Sequence, residues 1–199
     1  MNEMTIFDYS HSGFAVRNDV AEAYRRFWTI LAQPGNWWDG SERVAIASAS
    51  RTALACPFCE KRKSALSPYQ MDGEHSRGGE QEGVLNDLVI DAVHRIITDQ
   101  SRITHAYVRR LQDAGISKEH YVELVGVVVT CLSIDEFNRA LGLPLEPLPE
   151  PQPGRPDGYR PEAIEEGVGF VPMLRSNGAV GPEADLWGKV APNVVRALS

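Results

Sequence analysis

The sequence predicts an all-α fold followed by an extended, proline-rich arm. Through the first part of the chain, apolar side chains recur at the three- and four-residue spacing of helices, without the alternation that is typical of strands. The composition then changes to a run of prolines, which cannot continue a helix because proline lacks a backbone N–H. We therefore predict a helical domain over residues 1–145 and an extended arm over residues 146–199. The arm is expected to pack on its own or on a neighbouring subunit.

The first half of the domain is predicted to contain two helices, a cysteine pair and a loop. Asp19 is expected to cap a first helix that ends at Ala32, just before a Pro-Gly turn. An alanine-rich second helix over residues 41–55 leads directly into the cysteine pair, and its small side chains permit close helix approach. Residues 69–83 are polar and rich in glycine, which is typical of a loop. This loop is a candidate lid.

Three more helices are predicted in the second half of the domain. The pattern places them over residues 84–99, 101–114 and 118–141. Gly115 is expected to end the second of these helices, and Ser117 is expected to cap the third. The third helix is apolar on nearly every side, so we expect it to lie in the core.

Composition and charge exclude several classes of function. The 199 residues carry a formal net charge of −7, with no stripe of Lys and Arg that would neutralise phosphates. We therefore expect no nucleic-acid partner and no anionic-membrane partner. No stretch approaches the roughly 20 consecutive apolar residues that cross a bilayer, and the N-terminus lacks the pattern of a secretion signal. These features favour a cytoplasmic protein without membrane contact.

Cys56 and Cys59 form a Cys-x-x-Cys pair at a predicted helix start. At this spacing the two sulfurs lie on one helix face, and Pro57 suits the first turn. A helix N-terminus stabilises thiolate, the reactive form of cysteine. Arg62 and Lys63 follow Cys59 by three and four residues, so either cation is placed to favour its thiolate. Cys59 is therefore the expected nucleophile, although such a charge run is as often a solvated helix face.

A structural zinc site needs four ligands, usually from a second pair of Cys or His residues. The sequence shows no second pair with ligand spacing. The remaining candidate ligands are scattered along the chain: His75, His94, His105, His120 and Cys131. In a reducing compartment, a lone Cys-x-x-Cys pair favours redox chemistry over zinc. We therefore expect a redox-active dithiol, with no metal and no cofactor.

Three segments carry a resemblance to a known family over roughly residues 20–145. They are the helix start at residues 41–47, the cysteine pair, and the Gly-Ile-Ser turn with the helix that follows it, residues 111–127. In this order they resemble the alkylhydroperoxidase D-like, carboxymuconolactone decarboxylase-like superfamily. The resemblance implies an antiparallel all-α helical bundle that assembles as a dimer, trimer or hexamer. It also implies that Cys59 attacks a hydroperoxide and that Cys56 resolves the sulfenic acid as a disulfide.

The chain departs from the resembling family at the proton relay. Val44 and Lys63 occupy the positions at which family peroxidases carry a Glu and a His. His94 is a candidate replacement base, with Asp91 three residues earlier to orient it; the alternative is an ordinary surface histidine. Glu123 lies among apolar residues, where burial would raise its pKa and suit it to proton transfer. The alternative for Glu123 is an ion pair with an arginine in the core.

The leading functional hypothesis is a thiol-dependent peroxidase, or dithiol–disulfide oxidoreductase, that reduces organic hydroperoxides. A thioredoxin-like or lipoyl-type reductant would restore its dithiol. The alternatives are a catalytically degenerate structural or regulatory subunit of the same fold, and a decarboxylase or lactone-processing relative. The C-terminal residues also resemble the lead-in to another helical domain, so the chain is a candidate fragment of a longer two-domain protein.

Overall fold

The computed structural model describes residues 6–67, 71–77, 83–162, 164–165 and 170–174. These ranges contain six α-helices, which confirms the prediction of an all-α fold. The helices are α1 Asn18–Ala32, α2 Gly40–Ala53, α3 Pro57–Ser64, α4 Asp87–Thr98, α5 His105–Asp113 and α6 Lys118–Ala140. A short 3₁₀-helix spans Gln100–Arg102. Two strands of two residues each, β1 Ile164–Glu165 and β2 Met173–Leu174, form an antiparallel pair that the sequence did not predict.

Side-chain caps fix the starts of most helices. Asp39 accepts a hydrogen bond from the backbone N–H of Glu42, whose side chain in turn accepts one from the Asp39 N–H, which completes a capping box at α2. Asn86 and Ser117 likewise accept hydrogen bonds from backbone N–H groups at the starts of α4 and α6. These local hydrogen bonds explain why the starts of α2 and α6 lie within one residue of the predicted positions.

The expected cap of α1 and the starts of two later helices are wrong. The helix predicted from residue 84 begins at Asp87, after its cap Asn86. The N-cap residue of α1 is Arg17, and it makes no side-chain cap. Asp19 lies inside the first turn of α1, where it pairs with Arg17 and faces the positive end of the helix dipole. The predicted helix 101–114 is also divided, because Thr104 caps a new helix at His105 and leaves only a 3₁₀ turn before it.

The Ala-rich helix α2 lies at the centre of the helical core. It packs against α1, α4 and α6, while α4 packs against α6 on one side and α3 on another. The buried alanines of α2 permit these neighbours to approach closely. They are Ala45, Ala47, Ala49 and Ala53. Since α2 leads into α3, this packing fixes the cysteine pair against α4.

The described part of the proline-rich segment is extended and lies along its own chain. The Trp28 indole N–H donates a hydrogen bond to the Pro147 carbonyl at 2.7 Å. The Gln152 N–H donates to the Ala32 carbonyl, also at 2.7 Å. A Cβ on Gly40 would lie 2.3 Å from the Ala32 carbonyl oxygen and 2.7 Å from that of Gln152, so this close approach requires glycine. The segment therefore covers the end of α1 and the start of α2.

Within the described ranges, no helix combines the length and apolar character needed to cross a membrane.

Candidate active site

The two cysteines lie at the start of α3, as their spacing predicts. Cys56 is the N-cap residue, Pro57 is the first helical residue, and Cys59 is one turn into the helix. Both are unpaired thiols, and they are only 2% and 3% exposed respectively. Their sulfurs lie within 4.8 Å of each other. This proximity allows them to form a disulfide after a small shift of the side chains.

His75 lies between the cysteines and an aspartate. Its Nδ1 is 3.4 Å from the Cys59 sulfur and 3.8 Å from the Cys56 sulfur, while its Nε2 is 3.0 Å from Asp91 Oδ1. The neighbouring Ser76 N–H donates to the Cys56 sulfur at 3.3 Å. Sequence reasoning missed the role of His75, which lies in the glycine-rich loop. A lone histidine in a polar segment gave no spacing signal.

The structure places His94 beside Cys59, with the His94 Nδ1 3.3 Å from the Cys59 sulfur. Its Nε2 lies 3.5 Å from the Thr52 hydroxyl, and Thr52 reaches the carbonyls of Ala49 and Ser76. Because the single hydroxyl hydrogen is committed to a carbonyl, the Thr52 oxygen accepts from the His94 Nε2–H. The lone pair of Nδ1 then points toward Cys59.

Asp91 does not orient His94, which corrects the expected pairing. A spacing of three residues places Asp91 and His94 on neighbouring positions of one face of α4, but the Asp91 carboxylate contacts His75 and not His94. It accepts hydrogen bonds from Arg95 and Tyr107, each at 2.8 Å, and from Arg62 at 2.5 Å, besides its contact with His75. Asp91 therefore connects α3, α4, α5 and the His75 segment.

The two cations that follow Cys59 have different environments. Arg62 is buried, with its Nη2 3.9 Å from the Cys59 sulfur and its Nη1 bonded to Asp91. Lys63 is exposed and lies outside this cluster. The helix turns the side chain three residues after Cys59 toward α4 and the next one toward solvent. Of the two predicted candidates, only Arg62 approaches the sulfur.

Hydrogen bonds shift the pKa values of the Cys56 thiol and the His75 imidazole. Burial raises the pKa of the Cys56 thiol, but the backbone N–H groups of Ser76 and Cys59 outweigh burial and lower it to about 6. Burial lowers the pKa of His75, but its hydrogen bonds to Asp91 and to the Cys59 sulfur raise it to about 9. At neutral pH the pair therefore favours a Cys56 thiolate beside a protonated His75.

Asp91 and His94 have shifted pKa values that are consistent with a Cys56 thiolate beside a protonated His75. Burial raises the pKa of Asp91, but hydrogen bonds from His75 and Arg95 hold it well below its ordinary value. Burial lowers the pKa of His94 to about 3, and the positive charges of His75 and Arg62 act in the same direction. Asp91 is therefore ionised, and His94 is a neutral imidazole.

Glu123 lies apart from the dithiol cluster. Its carboxylate accepts a hydrogen bond from the Trp37 N–H at 2.7 Å and lies 3.5 Å from the Arg43 guanidinium. Burial raises the pKa of Glu123, although Arg43 opposes this shift. A Cβ on Gly35 would lie 1.8 Å from the Glu123 carboxylate, so glycine is required where the turn crosses it. The geometry matches the alternative of an ion pair with a core arginine. This pair joins α6 to α2, and the Trp37 hydrogen bond joins α6 to the α1–α2 turn.

A pocket of about 550 Å³ opens beside the cluster. Most of its walls are charged side chains, among them Arg62, Asp91 and Arg95 beside His75, and its apolar part is formed by Phe58, Met71, Leu88 and Ile90. The pocket reaches the His75 imidazole, whereas neither cysteine is among its lining residues.

The same cluster contains a complete set of metal-binding atoms. The ligand atoms of Cys56, Cys59, His75 and His94 all lie within 4.8 Å of one another. The expectation that the cysteines lack a second ligand pair is therefore wrong. Two histidines that are far apart in the sequence supply this pair, because the 71–77 segment and α4 both pack against α3.

Comparisons with known protein families, characterised proteins and solved structures give no match to this chain.

Proposed function

We propose that the protein is a dithiol peroxidase that reduces organic hydroperoxides, built on an alkylhydroperoxidase-like antiparallel helical bundle. One observation carries the proposal: His75 contacts both cysteine sulfurs through Nδ1 and an ionised Asp91 through Nε2. This Cys–His–Asp arrangement contains an activated nucleophile, a proton donor and a group that orients the donor. It supplies the proton relay that the chain lacks at Val44 and Lys63.

The proposed reaction uses two electrons from the dithiol. A thiolate sulfur attacks an oxygen of the hydroperoxide, and the O–O bond breaks. The leaving alkoxide takes a proton from His75, which gives an alcohol and a sulfenic acid. The second sulfur then displaces hydroxide from the sulfenic sulfur, and the proton of the second thiol converts this hydroxide to water. The products are a Cys56–Cys59 disulfide, one alcohol and one water.

The hydrogen bonds favour Cys56 as the attacking thiolate. Cys56 lies at the helix N-terminus and accepts a bond from the Ser76 N–H, which stabilises negative charge on its sulfur. Cys59 lies against the neutral ring of His94, and as the resolving thiol it supplies the proton that converts the displaced hydroxide to water. This assignment reverses the roles that the family resemblance implies for the two cysteines.

The site requires an opening step, because both thiols are nearly fully buried. The 71–77 segment covers them through His75 and Ser76, so we propose that it is the moving part of the predicted lid. The pocket beside His75 is the proposed position for the organic part of the hydroperoxide. A thioredoxin-like or lipoyl-type dithiol is the proposed reductant, and a homo-oligomer is the proposed assembly.

The decisive experiment uses the reduced, metal-free full chain. One equivalent of cumene hydroperoxide is added, and the consumption of peroxide is measured together with the Cys56–Cys59 disulfide, by mass spectrometry of peptides. We expect one disulfide for each peroxide consumed, and the same result for the Cys131→Ala control. Thiols that survive the peroxide would overturn the proposal and favour the structural-subunit alternative.

Single-cysteine variants assign the two roles. If Cys56 attacks, the Cys59→Ser variant will accumulate a sulfenic acid on Cys56, which a dimedone probe traps. The Cys56→Ser variant will then react with peroxide much more slowly than the Cys59→Ser variant. The opposite pattern would assign the attack to Cys59.

A further inference from the structure

The dithiol cluster has the geometry of a closed zinc site. Zn–S bonds of about 2.3 Å and Zn–N bonds of about 2.0–2.1 Å, arranged tetrahedrally, place the sulfur and nitrogen atoms about 3.5 Å apart. The three sulfur–nitrogen contacts in the cluster are 3.3, 3.4 and 3.8 Å. The other distances among the two sulfurs and two nitrogens are within 4.8 Å, so a small inward shift of the side chains brings all four atoms to the spacing that one zinc ion requires.

The residues behind the two histidines hold them in the orientation that a metal requires. Metal-bound histidines usually donate their second N–H to a carboxylate or to another oxygen acceptor, which fixes the tautomer and the ring orientation. His75 contacts Asp91 through Nε2, and His94 contacts the Thr52 hydroxyl through Nε2. In both rings Nδ1 is the nitrogen that faces the sulfurs.

The charge and burial of the cluster also suit a divalent ion. Two thiolates balance the two positive charges of Zn²⁺, and neutral imidazoles complete the coordination. The ligands come from three separate parts of the chain, namely α3, the 71–77 segment and α4. An ion bound here would therefore join these parts, and four protein ligands leave no open position for a substrate.

We propose that the reduced protein binds one Zn²⁺ ion through Cys56 Sγ, Cys59 Sγ, His75 Nδ1 and His94 Nδ1. This inference goes beyond the proposed peroxidase function and does not rest on it, because zinc binding needs reduced thiols and the release of the remaining thiol and imidazole protons, but no peroxide. The two functions share the sulfurs, so the zinc-bound form and the disulfide form exclude each other. Bound zinc would therefore protect the thiols and hold the 71–77 segment closed.

The test is a metal titration of the reduced full chain without peroxide and without oxygen. We expect one Zn²⁺ per chain by elemental analysis, and loss of iodoacetamide labelling at Cys56 and Cys59 when zinc is bound. Co²⁺ in the same site should give the intense visible absorption of a tetrahedral ion and the near-ultraviolet charge-transfer band of cobalt–thiolate bonds.

Matched variants identify the ligands. His75→Gln and His94→Gln should each lower the zinc affinity about a hundredfold, whereas His105→Gln and Cys131→Ala should leave it unchanged. His94 is fully buried, so His75→Gln in the surface segment keeps the test valid if the His94 variant does not fold. Circular dichroism of each variant checks the fold.

Two results would overturn the zinc inference. One is a Co²⁺ spectrum without thiolate charge transfer. The other is a wild-type affinity no higher than that of the Cys56→Ser/Cys59→Ser double variant. The peroxide experiment on metal-free protein is separate, so failure of the zinc inference and failure of the peroxidase proposal give different results.

Discussion

His75 is the residue on which both proposals depend most. It lies in a segment without secondary structure, yet its side chain is only 7% exposed because it packs between the cysteines and Asp91. Its two nitrogens have separate tasks, with Nδ1 on the sulfurs and Nε2 on the carboxylate. A change at this single residue therefore removes the proposed proton donor, together with one of the hydrogen bonds that lower the pKa of the Cys56 thiol, while both cysteines stay in place.

His75→Asn should slow peroxide-driven disulfide formation by about a hundredfold, the lower end of the range for general acid–base groups. The measurement is the rate of disulfide formation in metal-free, reduced protein under excess peroxide. His105→Asn is the matched control, since His105 is exposed on α5 and lies outside the cluster. Equal rates for His75→Asn and wild type would show that His75 is not the proton donor.

The Arg43–Glu123 ion pair lies apart from the dithiol cluster and contributes to the stability of the fold. Both side chains are buried, and removing one partner leaves an uncompensated charge in the core. Glu123→Gln should therefore lower the free energy of unfolding by about 3 kcal/mol, measured by urea denaturation.

The matched control for Glu123→Gln is Glu136→Gln. Glu136 pairs with Arg139 on the surface of α6, with its side chain 52% exposed, so its change should cost less than about 1 kcal/mol. Similar losses for both variants would show that burial does not strengthen the Arg43–Glu123 pair.

At the scale of elements, the 71–77 segment and α3 fit closely at Gly73. A Cβ at this position would lie 2.4 Å from the Phe58 ring. Phe58 is held in turn by edge contact with His75 and by the Arg62 guanidinium over its ring. The absence of a side chain at Gly73 therefore lets the covering segment close over the dithiol.

Gly73→Leu should open the cover. Overpacking of about 1–3 kcal/mol favours the displaced segment, so iodoacetamide should label Cys56 and Cys59 about tenfold faster than in wild type. Asp72→Leu is the control, because Asp72 is exposed beside Gly73. If both variants label at the wild-type rate, the 71–77 segment does not control access to the thiols.

The success of helix prediction also varied from element to element. The start of α6 was predicted correctly because its signal is local: Ser117 caps the first turn, and an apolar stretch follows. The start of α1 was predicted within one residue, but its cap was wrong, because Asp19 faces the positive end of the helix dipole from inside the first turn. The break before α5 was missed because Thr104 is one polar residue among several.

At the scale of the whole molecule, the extended segment completes the surface of the helical core. Its backbone reaches Trp28 and Ala32 of α1 and the Asn36 carbonyl in the α1–α2 turn. These hydrogen bonds do not belong to a regular strand or helix, so the contribution of each one to stability can be measured with a single substitution.

Gln152→Pro should detach the segment at one point. Proline keeps the extended conformation of this proline-rich run but removes the N–H that donates to the Ala32 carbonyl. Leaving that buried carbonyl unsatisfied should cost about 2 kcal/mol in urea denaturation. Gln152→Ala keeps the N–H and should cost less than about 0.5 kcal/mol. Equal stability of the two variants would show that this hydrogen bond does not hold the segment.

The sequence by itself determined the features that depend on neighbouring residues. Helical periodicity, caps such as Ser117 and the Cys56–Cys59 spacing act within a turn or two of the chain, so they can be recognised before folding is considered. The tertiary structure alone decided the partners of the thiols. Asp91 faces His75 and not its helix neighbour His94, because the packing of α3, α4 and the 71–77 segment fixes the direction of each side chain.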